Sequence, residues 1–86
     1  MYKIVLTKDA VKYYRRSDNK TKRLLNEAFS NLKANPINGA NIKRLHGELT
    51  GLFRYRVASL RIVYKVEEQN VTIIVLAIGS RGDIYK

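Results

Sequence analysis

The sequence predicts an α+β fold in which two N-terminal helices pack on one face of a small, mostly antiparallel four-stranded sheet. Two observations favour it: the first part of the chain has the apolar spacing of amphipathic helices, and the second part has the two-residue period of strands. A short apolar segment at the start adds one strand, so the predicted order is β-α-α-β-β-β. The 86 residues contain no repeat and no linker, and they are predicted to form a single domain, residues 1–86.

The first strand and the first helix are predicted side by side at the N-terminus. Residues 2–6, which contain the short apolar run Ile4-Val5-Leu6, are predicted to form the first strand. Thr7 has a side chain that can cap a helix, and the helix that it begins runs to about Arg16. The inner face of this helix is predicted to carry Ala10, Val11 and Tyr14.

The second helix is predicted to start at Ser17 or Asp18 and to run to about Ala34. Its apolar side chains recur at the spacing i, i+3, i+4 and i+7, which forms one stripe: Leu25, Ala28, Phe29 and Leu32. The helix ends before Pro36, because the residue that precedes a proline is pushed out of the α region.

After a predicted loop over residues 36–51, the stretch LFRYRVASLRIVYKV (52–66) indicates a β-hairpin. A two-residue loop at Ala58-Ser59, or a four-residue loop in the same register, places Arg56 opposite Arg61. The apolar side chains then share one face of the hairpin. The other face carries the basic ones: Arg54, Arg56, Arg61 and Lys65.

The last predicted strand, residues 71–79, is apolar on both faces and is therefore expected to lie inside the sheet. Strict alternation predicts two sets of side chains on opposite faces: Thr72, Ile74, Leu76 and Ile78 on one, and Val71, Ile73, Val75 and Ala77 on the other. Two helices cover only one face of a sheet. We therefore expect a bound partner to cover the second apolar face.

The composition points to a polyanionic partner. Seventeen Lys and Arg against seven Asp and Glu give a formal charge of +10, in a chain that is 45% hydrophobic and patterned for folding. Nucleic acid is the first candidate, an acidic protein the second and a membrane surface the third. Without cysteine, disulfides and thiolate metal sites are excluded, and a single histidine disfavours a histidine metal site, so no cofactor is expected. The absence of a signal peptide or apolar span predicts a cytoplasmic protein.

The basic hairpin face has two interpretations. Like charges directly opposite each other destabilise a sheet, so Arg56 facing Arg61 is unfavourable unless an anion lies between them. Solvated arginines whose stems cover apolar surface are the alternative. The planar guanidinium binds phosphate oxygens bidentately, which makes a phosphate backbone the leading ligand. The C-terminal GSRGDIYK adds Arg81 and Tyr85, which a bend at the glycines could bring to the rim of this face; alternatively, Tyr85 is a packed terminal aromatic.

Taken together, these segments resemble a known family. KRLHGELTGLFRYRV, LRIVYKV and IGSRGDIYK, following two helices, are similar in order and spacing to toxins of the RelE/ParE superfamily, on its RelE side. The resemblance implies a toxin of a type II toxin-antitoxin system, a metal-independent endoribonuclease that cuts mRNA in the ribosomal A site and inhibits translation. It also implies two partners, the ribosome with its mRNA and a cognate antitoxin. The uncovered apolar face and the basic hairpin face predict that an amphipathic acidic segment of the antitoxin lies on the sheet.

The resemblance assigns roles to individual residues. Arg54 and Arg56 correspond to basic residues that flank the scissile phosphate, and Arg61 to a phosphate-stabilising arginine. Arg81 corresponds to the arginine that assists the leaving group, and Tyr85 to the general base. The remaining basic candidates are assigned to RNA or ribosome binding: Lys43, Arg44, His46 and Lys65.

Other functions remain open from the sequence. His46 and Glu48 are the pair that ordinary ribonuclease chemistry would use, but their two-residue spacing in a glycine-bounded loop favours a turn. One alternative is a ParE-like toxin that poisons DNA gyrase through protein contacts. The other is a non-catalytic basic module that binds RNA or the ribosome.

Overall fold

A computed structural model describes residues 1–80. The strands form a single five-stranded sheet in the order β1-β5-β4-β3-β2, in which β1 runs parallel to β5 and every other pair is antiparallel. A 3₁₀ turn at Gly47–Leu49 separates β2 from β3. The elements in chain order are β1 (Lys3–Leu6), α1 (Lys8–Arg16), α2 (Asn19–Ala34), β2 (Ile42–Arg44), β3 (Phe53–Val57), β4 (Leu60–Glu67) and β5 (Thr72–Ser80).

The predicted α+β class is confirmed, and the sheet has one strand more than the four predicted. The added strand is β2, which lies inside the predicted loop over residues 36–51 and pairs with β3. With three residues, β2 is too short for a two-residue period to stand out from a loop. It forms one edge of the sheet, and β1 forms the other.

Both helices begin at side-chain caps. The Thr7 hydroxyl oxygen accepts a hydrogen bond from the Ala10 N–H at 3.4 Å and donates one to the Leu76 carbonyl at 3.0 Å. Of the two starts predicted for α2, the cap is Asp18, whose carboxylate accepts from the Thr21 N–H at 2.8 Å. Hydrogen bonds with Thr21 hold the pKa of Asp18 below its ordinary value.

The core lies between the helices and one face of the sheet. The predicted stripe of α2 is confirmed, with three of its four side chains buried and Phe29 packed against them. The fully buried core residues of the sheet belong to β4 and β5: Ile62, Tyr64, Ile73 and Val75.

The alternation predicted for the last strand is wrong beyond Val75. Val63 pairs with Ala77 and Tyr64 pairs with Val75, so Leu76 is an extra residue that has no partner in β4. Such a β-bulge reverses the alternation. Ile78 therefore joins Ile73 and Val75 in the core beneath the helices, while Ala77 takes the outer face.

Tyr64 ties the loop after α2 to the centre of the sheet. Its side chain is fully buried, its ring stacks on Phe53 with centroids 5.6 Å apart, and its hydroxyl donates to the Pro36 carbonyl at 2.7 Å. Burial, with a smaller effect of Tyr55, raises the pKa of Tyr64 well above the ordinary 10.0.

Replacing Tyr64 by phenylalanine is expected to lower the free energy of unfolding by about 1–3 kcal/mol, because the buried Pro36 carbonyl loses its donor. The raised pKa of Tyr64 means that its contribution to stability is complete below about pH 10 and is lost as the pH rises above that value. Urea denaturation of the wild-type protein and of Tyr64→Phe should be followed from neutral to alkaline pH. The free energy of unfolding should fall less steeply with rising pH for the variant. The matched control is Tyr55→Phe, whose hydroxyl accepts from the exposed Asn31 side chain and should matter less.

Val71 stands in a backbone conformation that β-branched residues rarely adopt. Its φ is 49°, in the turn between β4 and β5, and its side chain is 44% exposed. Val71→Asn is expected to raise the free energy of unfolding by about 1 kcal/mol, because asparagine tolerates the left-handed region. Val5, also 44% exposed but in the extended strand β1, is the control: Val5→Asn should destabilise, and equal effects on urea unfolding would contradict the explanation.

Candidate functional site: a cationic sheet face

The sheet surface turned away from the helices carries a compact group of basic residues. Hairpin pairing places Arg56 directly opposite Arg61, as predicted, and Arg54 opposite Val63. On the other side of β3, Lys43 of β2 lies opposite Arg54. Residues paired across neighbouring strands share a face and lie about 4.5–5.5 Å apart at Cβ. We call this group, Lys43, Arg54, Arg56 and Arg61, the arginine face.

The floor of the arginine face is apolar. Val63, between Arg54 and Ala77 in the same row across the sheet, is only 4% exposed, and Gly79 lies opposite Arg61 in the next row. Arg54 and Arg61 are half-buried, and Arg56 and Lys43 are exposed. The guanidinium and ammonium groups therefore lie next to buried apolar surface, where they attract an anion more strongly than they would if fully surrounded by water.

No acid neutralises the arginine face within residues 1–80. In that part of the chain, the only ion pair joins Lys65 to Glu67 at 3.9 Å, farther along β4. The Nε atom of Arg54 is buried and has no hydrogen-bond partner there. A buried donor without an acceptor is costly, and an oxygen of a bound anion would satisfy it.

The other predicted RNA-binding residues do not all join this face. Lys65 does, but it is paired with Glu67. Arg44 lies on the opposite side of the sheet, with its guanidinium carbon 5.1 Å from the ring centroid of Phe53. His46 is exposed and precedes the 3₁₀ turn. Arg81 and Tyr85 lie outside the described residues.

The place of Lys43 beside Arg54 could not be found from the sequence. The one pattern in the sequence that is compatible with a strand here is NIKRL, in which apolar residues flank two basic ones. Because β2 has only three residues, the same pattern is equally compatible with a loop. Only the backbone pairing of β2 with β3 shows which of Lys43 and Arg44 shares the face of the arginines.

Residues 1–80 contain no group of three or more His, Asp or Glu side chains that could hold a metal ion. The helices α1 and α2 lack the length and apolar composition of a bilayer-spanning helix.

A helix pair over a five-stranded sheet, with a cationic face on the reverse that pairs with no acid of residues 1–80, defines a class of small basic α+β proteins. The family model of the ParE toxin of type II toxin-antitoxin systems matches residues 4–85. The chain therefore belongs to this family, within the RelE/ParE superfamily.

Relatives and solved structures agree with this assignment. Toxin RelG of Mycobacterium tuberculosis is 32% identical over 59 residues, which cover 69% of this chain and 66% of RelG, just under two thirds of its length. The archaeal RelE–RelB complex from Pyrococcus horikoshii contains a chain with a TM-score of 0.80 and 25% identity, over 95% of this chain and 97% of that one. The E. coli RelBE toxin-antitoxin complex shows the same fold, with a TM-score of 0.80 and 22% identity over 94% and 98% of the two chains.

Proposed function

We propose that this toxin is a ribosome-dependent mRNA endoribonuclease, which cuts mRNA in the ribosomal A site and so stops translation. The observation that supports the proposal is the arginine face: Arg56 directly opposite Arg61, with Arg54 alongside and no acid to neutralise them within residues 1–80. Repulsion between these side chains destabilises the free protein. A phosphate of the RNA backbone would relieve it.

The proposed reaction uses the RNA's own 2′-hydroxyl. Its oxygen forms a bond to the adjacent phosphorus while the bond from phosphorus to the 5′-oxygen breaks, which leaves a 2′,3′-cyclic phosphate and a 5′-hydroxyl. Tyr85, as the phenolate, accepts the 2′-proton; Arg81 stabilises the negative charge on the leaving 5′-oxygen, which then takes a proton from water. Arg61 stabilises the phosphorane, and Arg54 and Arg56 hold the flanking phosphates. Fixed cations supply the charge stabilisation, so the mechanism needs no metal ion.

The proposed site lacks strong acid–base groups, and we therefore expect its activity to depend on the ribosome. Arginine is a poor proton donor, because its pKa lies far above neutral pH, and ordinary ribonucleases use stronger acid–base groups. A weak acid–base set suffices when another body holds the RNA in line for attack, because correct positioning can supply much of the barrier reduction. We therefore assign that positioning to the ribosome.

The proposed inhibitor is a cognate antitoxin. The E. coli RelBE structure is a toxin-antitoxin complex, and the P. horikoshii structure is a complex of RelE with RelB. For this chain, we propose an amphipathic acidic segment that lies on the outer sheet surface. Its acidic side chains pair with the arginine face, and its apolar side chains cover Ile74 and the exposed Val5, which are paired across β1 and β5. Hydrogen exchange of the complex should then show new protection in residues 53–67 and 72–80; unchanged exchange there would contradict this location.

The second candidate function is a gyrase poison of the ParE type, which is supported by the match of residues 4–85 to the ParE toxin family. Two assays separate the candidates. In a purified translation system, primer extension across the mRNA reports cleavage within codons, and a supercoiling assay with purified gyrase reports poisoning. Cleavage without gyrase inhibition supports the endoribonuclease, and the reverse result establishes the alternative. Inhibited translation with intact mRNA and active gyrase would indicate a non-catalytic ribosome-binding protein.

A further inference from the structure

The loop between α2 and β2 contains the dipeptide Asn38-Gly39. Among the asparagines of the chain, only Asn38 has a glycine as its next residue. The Asn38 side chain is exposed and makes no hydrogen bond within residues 1–80, whereas its backbone N–H donates to the Asn35 carboxamide oxygen at 3.1 Å. The Asn38 carboxamide can therefore turn towards the backbone that follows it.

Gly39 supplies a nucleophile for this carboxamide. Its backbone N–H donates to no acceptor in the part of the chain that the structure describes, although its carbonyl accepts from the Ile42 N–H at 3.2 Å. Glycine also lacks the Cβ atom that would hinder its nitrogen from reaching the side-chain carbonyl carbon of the preceding residue. Both the electrophile and the nucleophile of an intramolecular reaction are thus accessible in neighbouring residues.

The other asparagines near this loop lack one of these conditions. Asn35 precedes Pro36, whose nitrogen carries no hydrogen and cannot become the attacking group. Asn41 precedes Ile42, whose N–H is engaged by the Gly39 carbonyl and whose β-branched side chain crowds the approach. The reaction is therefore disfavoured on both sides of Asn38.

The asparagines farther away are hindered as well. Asn70 precedes Val71, whose N–H donates to the Glu68 carbonyl at 3.2 Å. The remaining asparagines belong to α2, whose helical backbone dihedral angles keep a side chain from closing on the next nitrogen: Asn19, Asn26 and Asn31. Among residues 1–80, Asn38 alone combines an exposed carboxamide, an accessible nitrogen and a following glycine.

We propose that Asn38 is a site of spontaneous deamidation, to which asparagine as a thermolabile residue is prone. The Gly39 nitrogen loses its proton to hydroxide and forms a bond to the side-chain carbonyl carbon of Asn38. The bond from that carbon to the amide nitrogen breaks, and the amide group takes a proton from water and leaves as ammonia. Water then opens the succinimide ring at one of its two carbonyl carbons. Opening at the side-chain carbonyl gives aspartate, and opening at the backbone carbonyl gives isoaspartate.

Isoaspartate at position 38 acts on β2. It lengthens the backbone before Gly39 by one methylene group, so the Gly39 carbonyl moves relative to the Ile42 N–H with which β2 begins. The strand has only three residues and lies at an edge of the sheet, so few hydrogen bonds hold it in place. Lys43 lies in this strand opposite Arg54. The modification therefore loosens β2 and displaces Lys43 from the arginine face.

Ageing of the purified protein at mildly alkaline pH tests the chemistry. Trypsin cuts after lysine and releases residues 34–43, ANPINGANIK, which contain three asparagines. Mass spectrometry of this peptide assigns the exchange of an amide for an acid to one asparagine, and an isoaspartyl methyltransferase with a labelled methyl donor reports isoaspartate. We expect modification at Asn38 with Asn35 and Asn41 intact. The rate should rise with pH, because the attacking nitrogen must lose its proton.

Two variants separate this reaction from mere exposure of the loop. Gly39→Ala should slow the modification by at least about tenfold, because the added methyl group hinders the attack. That methyl group would lie 3.3 Å from the Ile42 Cδ1 atom, so urea denaturation must show that the variant folds. Asn38→Gln leaves Gly39 in place and should also stay unmodified, since its carbonyl carbon lies one bond farther from the backbone. Modification of Gly39→Ala at the wild-type rate, or an Asn38 that survives ageing, would overturn the proposal.

Hydrogen exchange and RNA binding test the effect on β2. The isoaspartate form, separated from fresh protein by chromatography, should exchange faster at Ile42–Arg44. Its salt slope for a labelled single-stranded RNA oligonucleotide should fall by about 1, the usual value for one lost phosphate contact. Freshly purified Asn38→Asp is the matched control, because it carries the same added carboxylate on a normal backbone. Equal behaviour of the two proteins would reduce the effect to charge and overturn the effect on β2.

Only the RNA measurement depends on the proposed function. If fresh wild-type protein binds no RNA, the arginine face loses the ligand proposed for it. Peptide mapping and hydrogen exchange then still decide whether Asn38 is modified and whether the modification loosens β2.

Discussion

Replacing Arg61 by alanine is expected to lower the maximal rate of mRNA cleavage by about 10²–10³-fold, the usual effect of removing one fixed donor to a developing oxyanion. The fold should survive, because Arg61 is half-buried on the outer face and the core lies on the other side of the sheet. Relief of the repulsion with Arg56 should add about 0.2–1 kcal/mol to the free energy of unfolding. Single-turnover cleavage on programmed ribosomes and urea denaturation measure the two effects.

Two further variants separate charge from geometry at this position. Arg61→Lys keeps the cation but loses the planar fork, so it should restore part of the rate. Arg56→Ala relieves the same repulsion and should stabilise the protein equally, while it reduces the cleavage rate less if Arg61 is the residue that contacts the phosphorane. A folded Arg61→Ala protein that cuts at the wild-type rate would remove Arg61 from the site.

Replacing Tyr85 by phenylalanine is expected to lower the maximal cleavage rate by about 10²-fold or more, within the usual contribution of a general base. The variant keeps the aromatic ring and the charge of +10, so ribosome affinity, which depends on cationic contacts to phosphate, should hardly change. The defect should shrink as the pH rises, because hydroxide partly replaces the missing base.

The comparison for Tyr85→Phe is Tyr2→Phe, which changes a tyrosine of β1's flank rather than of the proposed site. Cleavage at saturating toxin and binding to ribosomes should be measured for both variants over the same pH range. If Tyr85→Phe binds normally and cuts at the wild-type rate, Tyr85 is a packed terminal aromatic, and cleavage depends on the arginines and ribosomal geometry alone.

The hairpin was the part of the fold that the sequence determined most completely. Two strands whose side chains alternate, with Val63 as the one apolar residue on the basic face, and a two-residue loop favour one register, because a slip of one residue in a strand would turn its basic side chains into the core. The pairs Val57–Leu60, Arg56–Arg61 and Arg54–Val63 are all confirmed. The common face of the arginines followed from that register.

Other features of the sheet and of the arginine face left no recognisable pattern in the sequence. In the segment from Ile73 to Ile78 every side chain is apolar, so a bulge at Leu76 leaves no break in the pattern. The separation of Lys43 from Arg44 depends on the pairing of β2, and the neutralisation of Lys65 depends on the approach of Glu67. These are tertiary outcomes that local periodicity does not encode. The roles of Arg81 and Tyr85 still rest on the resemblance alone.

The parallel pairing of β1 with β5 has a consequence for how the chain folds during its own synthesis. Residues 3–6 of β1 pair with residues 72–75 of β5, so β1 has no strand to pair with until β5 has been synthesised. Contacts this distant in sequence slow folding, because the intervening loop must close first. Until Ile73 and Val75 are made, the helices also lack the centre of the sheet against which they pack. A chain synthesised only as far as β4 therefore contains every residue of the arginine face but lacks the β5 strand beside it, so the complete sheet beneath this face forms only after β5 has been made.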